Sequence, residues 1–339
     1  MNKLQFACRK YFHPGILISL LLLSNQGFAQ FQGTRIITER KYPGCIELSN
    51  DSVRVVLEPN LGGRVLAYEL NGKNVLYVDD SQDGLIYEGK NLHPSAGRCD
   101  FGPEKTVPAH PNLYLGKWSA RMTGNREAEM ISQKDSVTGV QLVRKFKLAQ
   151  TGSRLEFTQV IKNISSSSRS YCHWSRTFVK GSGIALAPLH PQSRYPRNFI
   201  LYGPGNILNF MPESEENIRI REGVLELLAP PSQPKIVTDT ETGWLAYITL
   251  DNQLFIKKYP VYPLRIYGEM AASTACVYYK PLFCEIEPIG PMENIAPGKE
   301  ASFTEYWYLF DFKYPDDKKA NLQVLMTKID ELQPSKVAK

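Results

Sequence analysis

From about residue 45 to residue 310 the chain alternates apolar and polar residues in short runs separated by turn residues. A two-residue period puts successive side chains on opposite faces of a strand, so it describes half-buried β-strands and not helices. Val53–Glu58, Arg64–Leu70 and Asn74–Val78 are three such runs, divided by Asn60-Leu61-Gly62-Gly63 and by Asn71-Gly72. Asn-Gly is the strongest two-residue hairpin signal, because both turn residues must take positive φ. Val140–Leu148 and Arg154–Lys162 flank Thr151-Gly152, and in the second run Leu155 and Phe157 alternate with Arg154, Glu156 and Thr158. Trp244–Leu250, Leu254–Lys258, Leu264–Met270, Cys276–Ile286 and Ser302–Phe310 continue the set. Many short strands without helical segments between them predict an all-β fold built as an antiparallel sandwich.

Two stretches depart from that rhythm. Eight prolines crowd residues 181–235, from Pro188 to Pro234, and proline is kept out of central strands. The stretch therefore reads as long structured loops, with Tyr195, Phe199, Tyr202 and Phe210 asking to be packed. Beyond Pro315, Leu322, Leu325, Ile329 and Leu332 fall at helical spacing among lysines, which predicts one short amphipathic helix capping the sandwich.

The first 29 residues carry a different pattern. Lys3, Arg9 and Lys10 precede the apolar run Ile16–Leu23, and Gly27-Phe28-Ala29 follows as a small-x-small cleavage site. That is the pattern expected of a signal peptide, and eight apolar residues are too few to span a bilayer of ~30 Å. The expected organisation is a signal peptide over 1–29, an extension over 30–44, the sandwich over 45–312 and a tail over 313–339. The expected location is the periplasm or the exterior, with no membrane attachment after cleavage. Removing the three positive charges of that segment takes the formal net charge from +6 to +3, and no Lys/Arg run remains for nucleic acid.

Six cysteines include five beyond the signal segment, Cys45, Cys99, Cys172, Cys276 and Cys284, with no C-x-x-C pair. Cys276 and Cys284 would face each other if Lys280-Pro281 were a hairpin turn; a continuous strand would separate them and leave buried free thiols. No His/Cys/Asp cluster has the spacing of metal ligands, no cofactor is implied, and no Gly-x-Ser-x-Gly marks a serine hydrolase.

Three segments resemble the galactose mutarotase-like superfamily, the relatives of aldose 1-epimerases. They are Asn60-Leu61-Gly62-Gly63-Arg64-Val65 with Asn71-Gly72-Lys73-Asn74-Val75-Leu76; Val160–Ser165 with Tyr171-Cys172-His173-Trp174; and Phe283-Cys284-Glu285-Ile286-Glu287-Pro288 with Ile295–Gly298 and Tyr306–Leu309. With Gly97-Arg98 ahead of Gly102-Pro103-Glu104, the chain resembles a bacterial branch of that superfamily more than the true epimerases. The resemblance implies a super-sandwich with a sugar-binding groove, in which Glu287 is the base that takes the anomeric proton and His173 the acid that protonates the ring oxygen. Carboxylate and imidazole suit those tasks, since ordinary pKa values of ~4.3 and ~6.5 leave one ionised and the other able to donate. Arg98, Arg176 and Glu285 are the expected substrate-binding residues, and the two arginines suggest a carboxylated or phosphorylated sugar, which guanidinium recognises bidentately. Two other functions fit the same residues: a sugar-binding protein without catalysis, and a glycosidase using Glu285 and Glu287, which one strand face would hold ~7 Å apart. His110 and His190, each followed by proline, read as loop residues.

Overall fold

The computed structural model describes residues 31–332 apart from 90, 91, 204 and 206, so the signal-peptide expectation lies outside the described residues. Two antiparallel sheets stack on each other. The first has twelve strands among the described residues. From one edge they run Thr34–Glu39, Tyr42–Ser49, Val53–Glu58, Arg64–Leu70, Gly97–Gly102, Arg169–Lys180, Phe283–Ile295, Ala275–Tyr279, Lys235–Thr238, Ile200–Tyr202 and Leu208–Asn209, with Lys73–Asn74 beside Arg64–Leu70. The second has ten, in the order Ile218–Arg221, Val224–Leu227, Ile184–Pro188, Trp244–Ile248, Gln253–Lys258, Glu300–Asp311, Leu155–Asn163, Val140–Leu148, Glu127–Ile131 and Ser119–Gly124. The all-β antiparallel sandwich expected from the alternation is the architecture observed.

The inward residues of both sheets make the main core. Trp307 of the second sheet packs against Tyr68 of the first, ring centres 5.8 Å apart, and against Phe255 and Phe157 at 5.4 and 5.5 Å. Gly97 permits this approach: a methyl there would lie 2.7 Å from the Trp307 ring and 2.9 Å from Val65. The C-terminal helix, Leu322–Glu331, lays Leu322, Leu325 and Ile329 on the far side of the second sheet, against Trp244, Ile256 and Tyr308. Asn321 caps its start by accepting from the Val324 N–H, and Lys258 Nζ donates to the Ile329 carbonyl at its end. Among the described residues no helix is long and apolar enough to cross a membrane.

Several local expectations change. The first sheet begins at Thr34, inside the segment expected to precede the sandwich, because Arg40 and Lys41 take φ of 47° and 66° and close a hairpin pairing Glu39 with Tyr42. The proline-rich stretch holds five short strands, of which Leu208–Asn209 and Ile218–Arg221 are sheet edges; the only proline within them, Pro188, is the last residue of its strand. Leu264–Met270 is not a strand; Leu264 and Ile266 are exposed on a loop. Lys280–Leu282 does turn a hairpin, but its register pairs Cys276 with Glu287 and Cys284 with Tyr279, so the two cysteines do not meet and all five described thiols are free and buried.

Candidate functional site

The strand Arg169–Lys180 runs through the middle of the first sheet, between Gly97–Gly102 and Phe283–Ile295. Alternation divides its side chains. His173, Ser175 and Thr177 point toward the second sheet, whereas Trp174 and Arg176 emerge on the outer face. On Phe283–Ile295, Glu285 and Glu287 emerge on that outer face too. Trp174 Nε1 donates to Glu287 Oε2 at 2.5 Å, and Arg176 Nε and Nη2 donate to the two oxygens of Glu285 at 3.0 and 3.4 Å. Arg176 lies across the rings of Trp174 and Tyr114, at 4.9 and 5.3 Å. The Lys235 ammonium sits 5.1 Å from the Trp174 and Tyr202 rings and pairs with Glu104 at 2.6 Å.

On the other flank, Asp100 stands opposite Trp174 across the strand pair, and its carboxylate lies 2.7 Å from His110 Nε2. His110 Nδ1 is 2.6 Å from the Pro108 carbonyl, which can only accept. With both ring nitrogens facing acceptors, His110 is an imidazolium. Burial opposes that charge, but the bond and charge of Asp100 outweigh it and raise the His110 pKa. The reciprocal holds for Asp100, where burial pushes the carboxyl up and His110 brings it below the ordinary range.

Glu287 is in the opposite situation. It is 1% exposed, and burial followed by the nearby charge of Glu285 pushes its carboxyl up to about 7, against the pull of Arg176 and Lys235. Burial raises Glu285 as well, with Arg176 opposing through its double bond. The proton shared by this pair therefore resides on Glu287, the member without an arginine clamp.

Of the five residues singled out in the sequence, Arg176, Glu285 and Glu287 come together. Arg98 is paired with Arg176 and shares its face, but is wholly buried. It donates to the carbonyls of Ser95 and Tyr114 and lies under the Tyr114 ring, so it supports the wall of the site, while its Nη2 has no hydrogen-bond partner. His173 is on the wrong side. Its ring stacks on Phe303 of the second sheet with 5.8 Å between centres, neither nitrogen has a hydrogen-bond partner, and burial lowers its pKa to about 4. The strand backbone separates it from Glu287, so the expected Glu287–His173 acid–base pair is not formed. Being one residue from Trp174 in an extended strand is the reason.

Trp174, Asp100, His110, Glu104 and Lys235 were missed. The signal for two of them was present: Asp100 and Glu104 lie in the same short segment as Arg98 and share its parity. Nothing in the order of residues places His110 or Lys235 beside Glu287. Among the described residues no group of three or more His, Cys, Asp or Glu could hold a metal ion. A separate cleft of about 170 Å³ is lined by His190, Arg194, Asp239, Glu241, Arg265 and Tyr267. Its arginines are paired, Arg194 with Asp239 of the same lining and Arg265 with Glu293, and His190 Nε2 lies 3.4 Å from Glu241.

No protein-family model matches the sequence, and no curated protein matches it either. Solved structures do match. A galactose mutarotase-like protein from Lactobacillus casei superposes with a TM-score of 0.56 at 10% identity, covering 79% of this chain and 100% of that one. A galactose mutarotase-like protein from Clostridium acetobutylicum gives 0.55 at 12% identity, over 83% and 99%. A putative aldose 1-epimerase from Escherichia coli K12 gives 0.54 at 11% identity, over 78% and 98%. Two face-packed antiparallel sheets, matched over nearly the full length of each of these structures, mean that the chain has the galactose mutarotase-like fold.

Proposed function

We propose that the protein binds a sugar on the outer face of the first sheet and exchanges protons with its anomeric centre through Glu287. One observation carries this reading: a buried carboxyl, oriented by Trp174 and poised at about 7, stands on a strand where nothing structural requires an acid. A group half protonated near neutral pH can both accept and return a proton. Mutarotation requires loss of the anomeric hydroxyl proton, ring opening, rotation about C1–C2, and closure on the other face. Glu287 takes the hydroxyl proton, and Arg176 and Lys235 supply positive charge where the ring oxygen becomes negative. The neutral Glu287 then returns the proton.

The sugar on this reading is uncharged. Arg176 is paired with Glu285, Lys235 with Glu104 and His110 with Asp100, and Arg98, which has no carboxylate partner, is wholly buried, so among the described residues of the site no exposed cation is left over for a carboxylate or phosphate. The same ion pair argues against a glycosidase, because Glu285 is clamped by Arg176 and is not free as a second carboxyl. The non-catalytic binding reading has an observation of its own: the imidazole expected to protonate the ring oxygen faces the core. Export through the Met1–Ala29 segment is part of the proposal, and intact mass of the mature protein tests it. For the site, exchange NMR of glucose and galactose anomers is the test. Acceleration over buffer that disappears in Glu287→Gln while sugar binding persists supports catalysis. Binding without acceleration supports the second reading, and no binding of either sugar or of related neutral sugars rejects both.

A further inference from the structure

Behind the Glu287 site, on the inward face of the same two strands, lies a charged pair with no exposed surface. Lys257 and Glu305, on neighbouring strands of the second sheet, are both 0% exposed, with 3.2 Å between Nζ and Oε2. Lys257 Nζ donates to Ser175 Oγ at 2.6 Å, to Thr177 Oγ1 at 2.9 Å and to the Ile286 carbonyl at 3.3 Å. Ser175 Oγ in turn donates to Glu305 Oε1 at 2.8 Å. Ser175 and Thr177 alternate with Trp174 and Arg176, and Ile286 separates Glu285 from Glu287. One ammonium thus bonds to the back of both strands at the point where the four site side chains emerge on the front. Such a pair is costly to bury, and apolar residues of similar volume often do as well or better for stability. Stability alone is therefore a weak account of the pair, which lies beside the Trp307 ring, 5.2 Å from Lys257 Nζ.

We propose that Lys257, held by Glu305, is the positioning residue of the Glu287 site: it fixes the two central strands against each other and so sets the Trp174–Glu287 and Arg176–Glu285 contacts. The proposal rests on the reading of Glu287 as the proton-transfer group. The groups facing Glu287 are Glu285, Arg176 and Lys235 on the outer side and Cys276 on the adjacent strand, with Lys257 behind the sheet. Glu305 and Cys99 face Lys257.

The test follows the Trp174 indole N–H by NMR through a pH titration without sugar, since that N–H donates to Glu287. Lys257→Met/Glu305→Gln removes the pair without stranding a charge. The expected result is a chain that still unfolds cooperatively, whose loosened Trp174–Glu287 bond lets the midpoint rise by ~0.5–1 pH unit. Where wild type accelerates anomer exchange, that rate falls about tenfold with sugar affinity within about twofold. Thr177→Val keeps both charges and removes only the bond from Lys257 to the Arg169–Lys180 strand, so the midpoint rises by a smaller step with no change of charge. An unmoved midpoint in both variants overturns the proposal and leaves the pair as core structure; should the double variant not fold, the rise in Thr177→Val decides alone. Because the titration contains no sugar, it is independent of whether Glu287 acts on one.

Discussion

Glu287→Gln should stabilise the protein at high pH and leave it nearly unchanged at low pH. In the folded chain burial raises the carboxyl from its ordinary 4.5 to about 7, whereas the unfolded chain keeps the ordinary value. The folded state therefore binds this proton more tightly. Between pH 4.5 and 7 the folded carboxyl is still protonated when the unfolded one is not, so this group's contribution to stability falls as pH rises through that window. Each pKa unit corresponds to ~1.4 kcal/mol, so a separation of about 2.5 units destabilises the wild type by about 3 kcal/mol above pH 7. The amide of Gln keeps the shape, still accepts from Trp174 Nε1–H and carries no charge to desolvate. Urea unfolding at pH 4.5 and pH 8 measures both ends: equal midpoints at pH 4.5, and at pH 8 a variant more stable by about 3 kcal/mol. A Glu287→Gln chain that is equally or less stable at both pH values refutes the reasoning.

Two further outcomes follow from the same coordinates. His173→Phe should leave sugar binding untouched and abolish the loss of stability that wild type suffers at this position as pH falls from 6.5 to 4, because His173 stays neutral in the fold while the unfolded chain takes a proton; denaturation at pH 4.5 and 7 reads the difference. Gly97→Ala should cost about 1–3 kcal/mol, since its methyl meets the Trp307 ring and Val65 at under 3 Å, and urea midpoints measure it.

Much of the fold was legible because period two and turn chemistry are local. Val53–Glu58, Arg64–Leu70 and Val140–Leu148 appear at the expected residues, and so does the helix carrying Leu322, Leu325 and Ile329. The hairpin at Arg40-Lys41 was not legible, as neither residue advertises positive φ. Nor were the short strands between Ile184 and Leu227, where the prolines read as loop. For the site, alternation shows that Glu285 and Glu287 share a face and that His173 and Trp174 do not. It cannot say which face of a central strand looks outward when both are apolar or aromatic. That ambiguity put His173 in the site and left Trp174 out. His110 and Lys235 reach the site through a loop and a strand distant in sequence, a matter of tertiary register that residue order does not encode.

The central claim is that a sugar sits against Trp174, Arg176 and Glu287 and nowhere else on the chain. Backbone and indole N–H shifts of the isotope-labelled mature protein, followed while a neutral sugar that binds is titrated in, test it most directly. The account predicts that the largest changes fall on the Trp174 indole and on residues 98–114, 174–176 and 285–287, and that Arg176→Ala weakens them together. Changes centred on His190, Asp239 and Glu241 would move binding to the other cleft and contradict the assignment.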